Sequence, residues 1–183
     1  MNRLSLWHEM ICKKDCVYKL QNKTTFCIPK LEKLVINLSS NEVINNPKEM
    51  LICITAAELL TNQKPIIYRA KKSLSEFRLK KNSVIGLKIT LRKNHLFDLL
   101  ENFIFLYIPK LNYFNGLNKL TNLNSTNSLS IGLKNLISFP QLNQNALRFK
   151  KSLGCTFTFI LKYPTISGPN VIINGCQMPY KLN

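Results

Sequence analysis

The chain has 183 residues, of which 45% are hydrophobic, so it can bury a substantial core and is expected to form a single domain over residues 1–183. Lys and Arg number 26 against nine Asp and Glu, which gives a formal net charge of +17 at pH 7. This surplus argues against the balanced surface of a typical soluble enzyme and points to a nucleic acid or an anionic membrane as the partner.

The apolar segments are too short or too interrupted to predict a membrane span. The best candidate, residues 96–108, contains Asp98 and Glu101 and ends at Pro109, which is typical of a packed helix rather than of a span. The first twenty residues include two acids and no apolar run followed by a cleavage site, so no targeting presequence is predicted. We therefore expect no insertion into a membrane.

The cysteine and histidine residues give no indication of a metal site. No CxxC pair occurs among the six cysteines, and neither His8 nor His95 has a Glu or Cys partner at helical spacing. Cys53 and Cys155 fall at apolar positions, where a thiol behaves as a small hydrophobic group. We predict free thiols in a reducing compartment, structural histidines and no bound metal.

The first part of the chain alternates predicted helices with predicted strands. Apolar residues at helical spacing predict an amphipathic helix over residues 3–20, with a buried stripe of Leu4, Trp7 and Ile11. Residues 31–38 alternate apolar and polar side chains, which predicts a strand with Asn37 on its polar face. Asn46-Pro47-Lys48-Glu49 is typical of a capped helix start, and this helix should end near Thr61.

The middle of the chain combines two predicted strands with a concentration of positive charge. Residues 66–71 predict a strand, residues 72–84 a basic loop that orders only on its partner, and residues 85–93 an alternating strand with Lys88 and Thr90 on its polar face. Between residues 64 and 93 there is one acid against ten cations: Lys64, Arg69, Lys71, Lys72, Arg78, Lys80, Lys81, Lys88, Arg92 and Lys93. Such a face suits RNA, because Lys and Arg contact phosphates while Thr and Asn reach sugars and base edges.

A second amphipathic helix and a long polar segment follow. The helix is predicted to start with a cap at Asn94 and to end at Pro109, with a buried stripe of Leu96, Leu99, Leu100, Phe103 and Tyr107. The Asn- and Ser-rich residues 112–130 predict a polar loop, within a protruding excursion over about residues 109–140.

The last predicted strand completes the pattern of the fold. Residues 154–162 alternate, and a short helix or irregular tail begins at Pro169. Phe157 and Phe159 share the apolar side of the strand, which favours packing in the core over stacking on bases. One-faced strands interleaved with helices indicate an α+β fold of two layers, a mostly antiparallel sheet with helices packed on one face. The other face would form the binding platform.

Six segments in a fixed order carry a resemblance. They are Ile28-Pro29-Lys30-Leu31-Glu32-Lys33, Leu60-Thr61-Asn62-Gln63-Lys64-Pro65, Arg69-Ala70-Lys71-Lys72-Ser73, Ile85-Gly86-Leu87-Lys88-Ile89-Thr90-Leu91-Arg92, Ile108-Pro109-Lys110-Leu111 with Phe114-Asn115-Gly116-Leu117, and Ser130-Ile131-Gly132-Leu133 with Phe139-Pro140. From about Ile28 to Leu161, this series resembles the large-subunit ribosomal protein L5 family, the 5S rRNA-binding protein of the central protuberance. Abundant Asn, Lys, Ile and Leu indicate an A+T-rich genome, as in mitochondrially encoded members.

The resemblance implies partners for each part of the chain. It implies that Asn37, Gln63 and Thr90 recognise 5S rRNA beside a helix of the large-subunit rRNA. It also implies that the basic loop approaches the elbow of the peptidyl-site tRNA, and that the excursion contacts a small-subunit head protein across an intersubunit bridge. The chain departs from the family at Ser39-Ser40-Asn41 and in its Asn-rich residues 117–130, where family members are rich in glycine.

The sequence therefore predicts a non-catalytic structural protein of the mitochondrial large ribosomal subunit, in the matrix. The residues predicted to bind rRNA are Asn37, Gln63, Lys64, Lys88, Thr90 and Arg92. Those predicted to contact tRNA and phosphates are Arg69, Lys71, Lys72, Arg78, Lys80 and Lys81. The only metal expected is structural Mg²⁺ bound to the rRNA itself.

Two other classes of function share some of these sequence features. An RNA-processing or RNA-chaperone protein outside the ribosome shares the basic surface, but the plausible catalytic pair, Asp98 and Glu101, lies on a helix flank. A membrane-surface protein needs an amphipathic helix rich in Lys, which residues 3–20 match only weakly.

Overall fold

The computed structural model describes residues 2–21, 28–39, 43, 46–111, 116, 128–144, 153–162 and 168–179. The helices are α1 (Arg3–Trp7), α2 (Lys13–Leu20), α3 (Glu49–Thr61), α4 (Lys93–Asn102), α5 (Pro140–Asn143) and α6 (Gly168–Gly175). A π-helical stretch, His8–Cys12, joins α1 to α2, and α4 continues through the π-helical Phe103–Tyr107 and a 3₁₀ turn, Ile108–Lys110. The strands are β1 (Lys30–Ser39), β2 (Ile66–Arg69), β3 (Val84–Arg92), β4 (Ser128–Leu133) and β5 (Cys155–Lys162).

The five strands form one antiparallel sheet in the order β2-β3-β1-β5-β4. Alternation of the side chains makes the sheet one-faced, because every second residue of β5 is buried and the residues between are more exposed. The buried residues of β5 are Cys155, Phe157, Phe159 and Leu161. The predicted α+β class is confirmed, as is the prediction that Phe157 and Phe159 belong to the core.

Strand β4 corrects the prediction for the polar segment. Residues 112–130 were predicted to be a loop, but Ser128–Leu133 forms an edge strand of the sheet with Leu129, Ile131 and Leu133 buried. The apolar residues recur at every second position, so the period of a strand outweighs the loop-like composition of the Ser and Gly between them. Of the rest of the predicted excursion, residues 112–115 and 117–127 lie outside the described residues, whereas residues 109–111, 116 and 134–140 are described.

The first of two compact units comprises Met1–Leu34, Leu91–Ile131 and Thr158–Asn183. Within it, α1 contacts α4, and α2 contacts α6. The predicted helix over residues 3–20 is present, but its buried stripe is Leu4, His8, Cys12 and Cys16, while Trp7 and Ile11 are exposed. The predicted stripe is wrong because the π-helical stretch widens the turn, so that buried residues recur every fourth position.

The second unit comprises Val35–Thr90 and Gly132–Phe157. Helix α3 contacts α5 and buries Met50, Cys53, Ala56, Ala57 and Leu60. Phe139 and Phe157 pack with their ring centroids 6.1 Å apart. This core holds the inner face of β1 and β3, whose residues Ile36, Leu38, Leu87 and Ile89 are all buried.

The starts of α3 and α4 differ from the predicted capping. Before α3, the backbone N–H of Glu49 donates to the carbonyl of Asn46 at 3.0 Å, and the N-cap position is taken by Lys48, whose side chain forms no cap hydrogen bond. Helix α4 begins at Lys93 rather than after a cap at Asn94. Its predicted buried stripe is confirmed in full. In the parts of the chain that the structure describes, no helix has the length and apolar character needed to cross a membrane.

Candidate RNA-binding surface

One face of the sheet carries the polar side chains of β1 and β3. A Cβ added to Gly86 of β3 would lie 3.4 Å from the Cβ of Ser39 of β1, so these two positions point to the same face. Side chains alternate along each strand, and Asn37 therefore shares this face with Lys88 and Thr90. We refer to the outer side of β1, β3 and β2 as the polar sheet face.

Gly86 allows β1 and β3 to approach closely at this face. A Cβ at Gly86 would lie 2.7 Å from the carbonyl oxygen of Leu38, which is backbone and cannot move aside. A side chain here would therefore push the two strands apart. Strands β1 and β3 are antiparallel, so residue numbers rise along one strand as they fall along the other. Two residues after Gly86 therefore lies Lys88, beside Asn37, which is two residues before Ser39.

Strand β2 adds side chains that the sequence analysis missed. Tyr68 pairs with Gly86, and Ile66 with Lys88, so both belong to the polar sheet face. The Lys88 ammonium lies 5.9 Å from the centroid of the Tyr68 ring, within range of a cation–π interaction. Because β2 is an edge strand, Tyr68 and Ile66 are exposed. The sequence feature that could have indicated Tyr68 as a binding residue is an aromatic side chain on a short strand that leads into a basic segment.

The predicted rRNA-binding residues on β1 and β3 are open to solvent to different degrees. Asn37 and Arg92 are exposed, whereas Lys88 and Thr90 are half-buried. Arg92 follows Thr90 on the same strand but belongs to the first unit. Within the described part of the chain, the side chains of Asn37, Thr90 and Arg92 form no hydrogen bond or ion pair. Their hydrogen-bonding capacity is therefore available to a ligand.

The turn after α3 positions Gln63 and Lys64. Asn62 adopts a left-handed conformation (φ 52°) at the helix end, and its N–H donates to the carbonyl of Glu58 at 2.8 Å. The buried hydroxyl of Thr61 donates to the carbonyl of Ala57 at 2.7 Å and accepts from the N–H of Gln63 at 3.3 Å. This network fixes the backbone of the turn, with Gln63 half-buried and Lys64 exposed.

The predicted basic loop is an ordered turn structure, which we call the basic hairpin (residues 70–83). At its base, the N–H of Ala70 donates to the carbonyl of Ser83 at 2.9 Å. Nearer the tip, Leu74 and Leu79 exchange two backbone hydrogen bonds of 3.0 Å. The sequence of this segment has no apolar period, because a single bridged pair is too short to produce one. The cations it presents are all exposed: Lys71, Lys72, Arg78, Lys80 and Lys81.

The pattern of ion pairs separates this surface from the other charged regions. Three salt bridges occur among the described residues, Arg3–Glu101, Lys13–Glu9 and Lys19–Asp15, and all three belong to the first unit. None of the described ion pairs involves a Lys or Arg from residues 64–93. The ten cations of this segment therefore remain available to an external polyanion.

The thiols of Cys53 and Cys155 and the imidazole of His8 are buried. Burial raises the pKa of the Cys155 thiol to about 12, and burial is also the main cause of the raised pKa of Cys53. Burial, assisted by Lys13, lowers the pKa of His8 to about 4. Among the described residues, no group of three or more His, Cys, Asp or Glu side chains is arranged to hold a metal ion.

Comparison with known proteins places the chain in a family. The family model for Ribosomal protein L5 matches residues 25–80, and the model for the C-terminus of the same ribosomal family matches residues 84–180. The large ribosomal subunit protein uL5m of Reclinomonas americana is 32% identical over 179 residues, 98% of either chain. The uL5 proteins of Mycoplasma mycoides and Clostridium perfringens are 30% and 27% identical over 98% of this chain, and over 98% and 99% of their own.

The two matched ranges contain all the strands described above, including the polar sheet face, and the basic hairpin apart from residues 81–83. The relatives are matched over nearly their whole length, so the similarity is not confined to one motif. The resemblance predicted from the sequence is therefore confirmed, and the chain belongs to the ribosomal protein L5 family, as a non-enzymatic structural constituent of the large ribosomal subunit.

Proposed function

We propose that the chain binds 5S rRNA and the adjoining large-subunit rRNA in the central protuberance, using the polar sheet face. The observation that carries this proposal is the unpaired positive charge of residues 64–93, next to amide and hydroxyl groups on an open face. The residues assigned to rRNA binding are Asn37, Gln63, Lys64, Lys88, Thr90 and Arg92. Amides and hydroxyls can discriminate sugars and base edges, while cations neutralise phosphates.

The basic hairpin contacts the peptidyl-site tRNA in this proposal. Its backbone bonds present the cations on a fixed turn, so less conformational entropy is lost on binding than a mobile loop would lose. The residues assigned to this contact are Arg69, Lys71, Lys72, Arg78, Lys80 and Lys81. Phosphate contacts of this kind provide affinity without sequence specificity.

The excursion over about residues 109–140 makes the contact with a small-subunit head protein across the intersubunit bridge. Support comes from the exposed Pro109 and Lys110, which begin the segment after the buried Tyr107 and Ile108. Strand β4, which follows this segment in the sequence, is an edge strand of the sheet. Neighbouring ribosomal proteins and Mg²⁺ held by the rRNA complete the set of partners.

The compartment is the mitochondrial ribosome, as the composition predicted and as the similarity to the mitochondrial protein uL5m of Reclinomonas americana confirms. A mitochondrial lysate separated on a sucrose gradient in high salt tests the proposed assembly. The protein should travel with the large subunit and its 5S or 5S-like RNA. Migration with free RNA or with a processing complex would favour the RNA-chaperone or RNA-processing alternative.

The binding itself is testable with the isolated full-length chain and a 5S rRNA transcript. If six phosphates are neutralised, the affinity should fall by about 10³-fold between 50 and 200 mM salt, because each contact releases bound counterions. A competing RNA duplex of equal length measures the nonspecific component. An affinity that does not change with salt would contradict the proposal.

A further inference from the structure

The tip of the basic hairpin exposes two apolar side chains in the most charged part of the chain. The side chain of Phe77 is 62% exposed and that of Leu74 is 49% exposed. Apart from Leu79, the other residues of the segment 71–83 are Lys, Arg, Ser, Glu and Asn. Single exposed apolar side chains are common on protein surfaces, so the position of this ring matters more than its exposure, because it lies among cations that have no ion-pair partner in the described part of the chain.

The backbone holds Phe77 in a defined turn. The two hydrogen bonds between Leu74 and Leu79 close a loop of four residues, and within it the N–H of Arg78 donates to the carbonyl of Ser75 at 3.1 Å. Arg78 adopts a left-handed conformation, with φ of 53°. Phe77 is therefore presented by a short turn directly beside a guanidinium group, and it does not have to be ordered when a ligand binds.

The charge around the ring indicates the class of ligand. Ten cations and one acid between residues 64 and 93 disfavour an apolar protein surface, which would have to desolvate them without compensation. An RNA loop supplies both phosphates for the cations and an unpaired base whose flat face can stack on the ring. A regular RNA helix supplies only the phosphates, because its bases are already stacked within the duplex.

We propose that Phe77 stacks on an unpaired base of the RNA that the basic hairpin contacts, and that the hairpin thereby selects looped RNA over regular duplex. This inference rests on the proposed RNA-binding function of the hairpin. It adds to that function a structural selectivity that phosphate contacts alone do not provide. Leu74, at the base of the same four-residue turn, supplies further apolar contact.

The test uses the full-length chain with two fluorescent RNAs. One is a stem-loop with 2-aminopurine in its loop, and the other is a duplex of equal length with 2-aminopurine in a paired position. The variant Phe77→Ala should bind the stem-loop about tenfold more weakly, the lower part of the range seen when a base-stacking aromatic residue is removed. It should also lose the quenching of 2-aminopurine, with little change in duplex affinity.

Two further variants control for folding and for surface hydrophobicity. Phe77→Trp keeps a stacking surface and should retain both the affinity and the quenching. Tyr18→Ala removes an aromatic side chain that is 81% exposed on α2, and it should behave as wild type. The salt dependence of Phe77→Ala should run parallel to that of wild type, because stacking releases no counterions.

Several outcomes would overturn the inference. Equal stem-loop affinity for Phe77→Ala and wild type would do so, as would an equal loss on the stem-loop and the duplex. Loss of incorporation into large subunits with RNA binding intact would show that the ring contacts a protein instead. If wild type itself bound neither RNA in a salt-dependent manner, the proposed function of the hairpin would fail with it. If wild type bound RNA in a salt-dependent manner but the Phe77 substitution had no effect, only the stacking proposal would fail and the proposed RNA-binding function of the hairpin would stand.

Discussion

The N-terminal helices and the basic hairpin are both rich in cations, but they handle their charge in opposite ways. In the N-terminal helices, Lys13 pairs with Glu9 at 3.5 Å and Lys19 pairs with Asp15 at 3.3 Å, each one helical turn away. The hairpin has a single acid, Glu76, among its exposed cations, and no described ion pair includes its Lys or Arg. Most of the cations of the first region are paired with acids, whereas the cations of the second are left to be neutralised by a ligand.

This difference shows that the number of cations alone does not locate a nucleic-acid site. Exposed pairs on a helix contribute only a few tenths of a kcal/mol to stability, but they reduce the local positive potential. Unpaired cations raise that potential and attract phosphates. The proposed RNA-binding surface is thus identified by the absence of nearby acids as much as by its Lys and Arg.

The strongest test of this contrast removes equal charge from both regions. Replacing Lys72, Lys80 and Lys81 with Ala should weaken binding to tRNA by about 10³-fold at 50 mM salt, because three phosphate contacts are lost. The slope of log affinity against log salt concentration should fall by about two to three units. Electrophoretic mobility shifts over a salt series would measure both quantities.

The matched control replaces Lys13, Lys14 and Lys19 with Ala. It changes the net charge by the same amount, so any effect of overall charge is common to the two triple variants. The control should lose less than about tenfold in affinity and keep the wild-type slope. If the two triple variants lost affinity to the same degree, net charge rather than the hairpin would govern binding.

The next largest effect concerns the stability of the N-terminal helices. His8 is buried against Phe97, with ring centroids 5.3 Å apart, and burial is the main reason that its pKa falls from 6.5 to about 4. Lys13 lowers this pKa further, and Glu9 opposes the change. Unfolded His8 takes up a proton near pH 6.5, but folded His8 does so only near pH 4. This part of the stability is therefore complete above pH 6.5 and is lost as the pH falls toward 4, by up to about 3 kcal/mol.

Urea unfolding at pH 7 and at pH 4.5 measures this loss. The variant His8→Leu cannot titrate at this position, so its stability should vary less with pH than that of wild type. RNA binding at pH 7 should be unchanged if the N-terminal helices are purely structural. An identical dependence on pH in the two proteins would rule out His8 as the cause.

On the polar sheet face, single substitutions should have smaller but more specific effects. Thr90→Val removes a hydroxyl with little change in volume and should weaken binding to 5S rRNA by about tenfold, with little change for a duplex of equal length. Thr55→Val is the control, because the Thr55 hydroxyl donates to backbone carbonyls of its own helix at 3.0 Å. Equal losses on both RNAs would mean that Thr90 does not contribute to recognition.

The smallest effect is expected for the ion pair between Arg3 and Glu101. Their charged atoms lie 2.9 Å apart, but the Arg3 side chain is 74% exposed. Arg3→Ala should therefore cost less than about 1 kcal/mol in the free energy of unfolding and leave RNA affinity unchanged. Thermal unfolding and a mobility shift on the same samples would measure both. A clear loss of RNA affinity would show that the N-terminal helices belong to the binding surface, and the difference in charge between these helices and the basic hairpin would then not locate the RNA-binding site.

The elements with a clear period were predictable from the sequence. Strands β3 and β5 alternate between apolar and polar residues, and α4 repeats its apolar residues at helical spacing, so the buried side of each follows from the sequence. Strand β1 alternates too, except that Val35, on the same side as Asn37, is buried. Strand β4 was missed because Ser and Gly between its apolar residues gave it the composition of a loop. The buried stripe of the N-terminal helices was misplaced because a π-helical stretch cannot be recognised from spacing that assumes 3.6 residues per turn.

The candidate site was predictable only in part. Asn37 and Thr90 were placed on polar faces by alternation alone, and the charge of residues 64–93 was visible by inspection. The contribution of Tyr68 depends on which residue lies opposite it across β2 and β3, and that pairing is not encoded in either strand by itself. The role of Phe77 depends on a turn closed by backbone hydrogen bonds.

The sequence by itself determined the alternation of the strands, the excess of positive charge and the family. These are local or additive properties, since each residue contributes its polarity and charge regardless of its distant neighbours. Only the tertiary structure decided that Gly86 lies against Leu38 and Ser39, that Tyr68 lies under Lys88, and which cations lack an acid nearby. Such contacts join residues far apart in the chain, and strand pairing and side-chain packing select them only when the whole core forms.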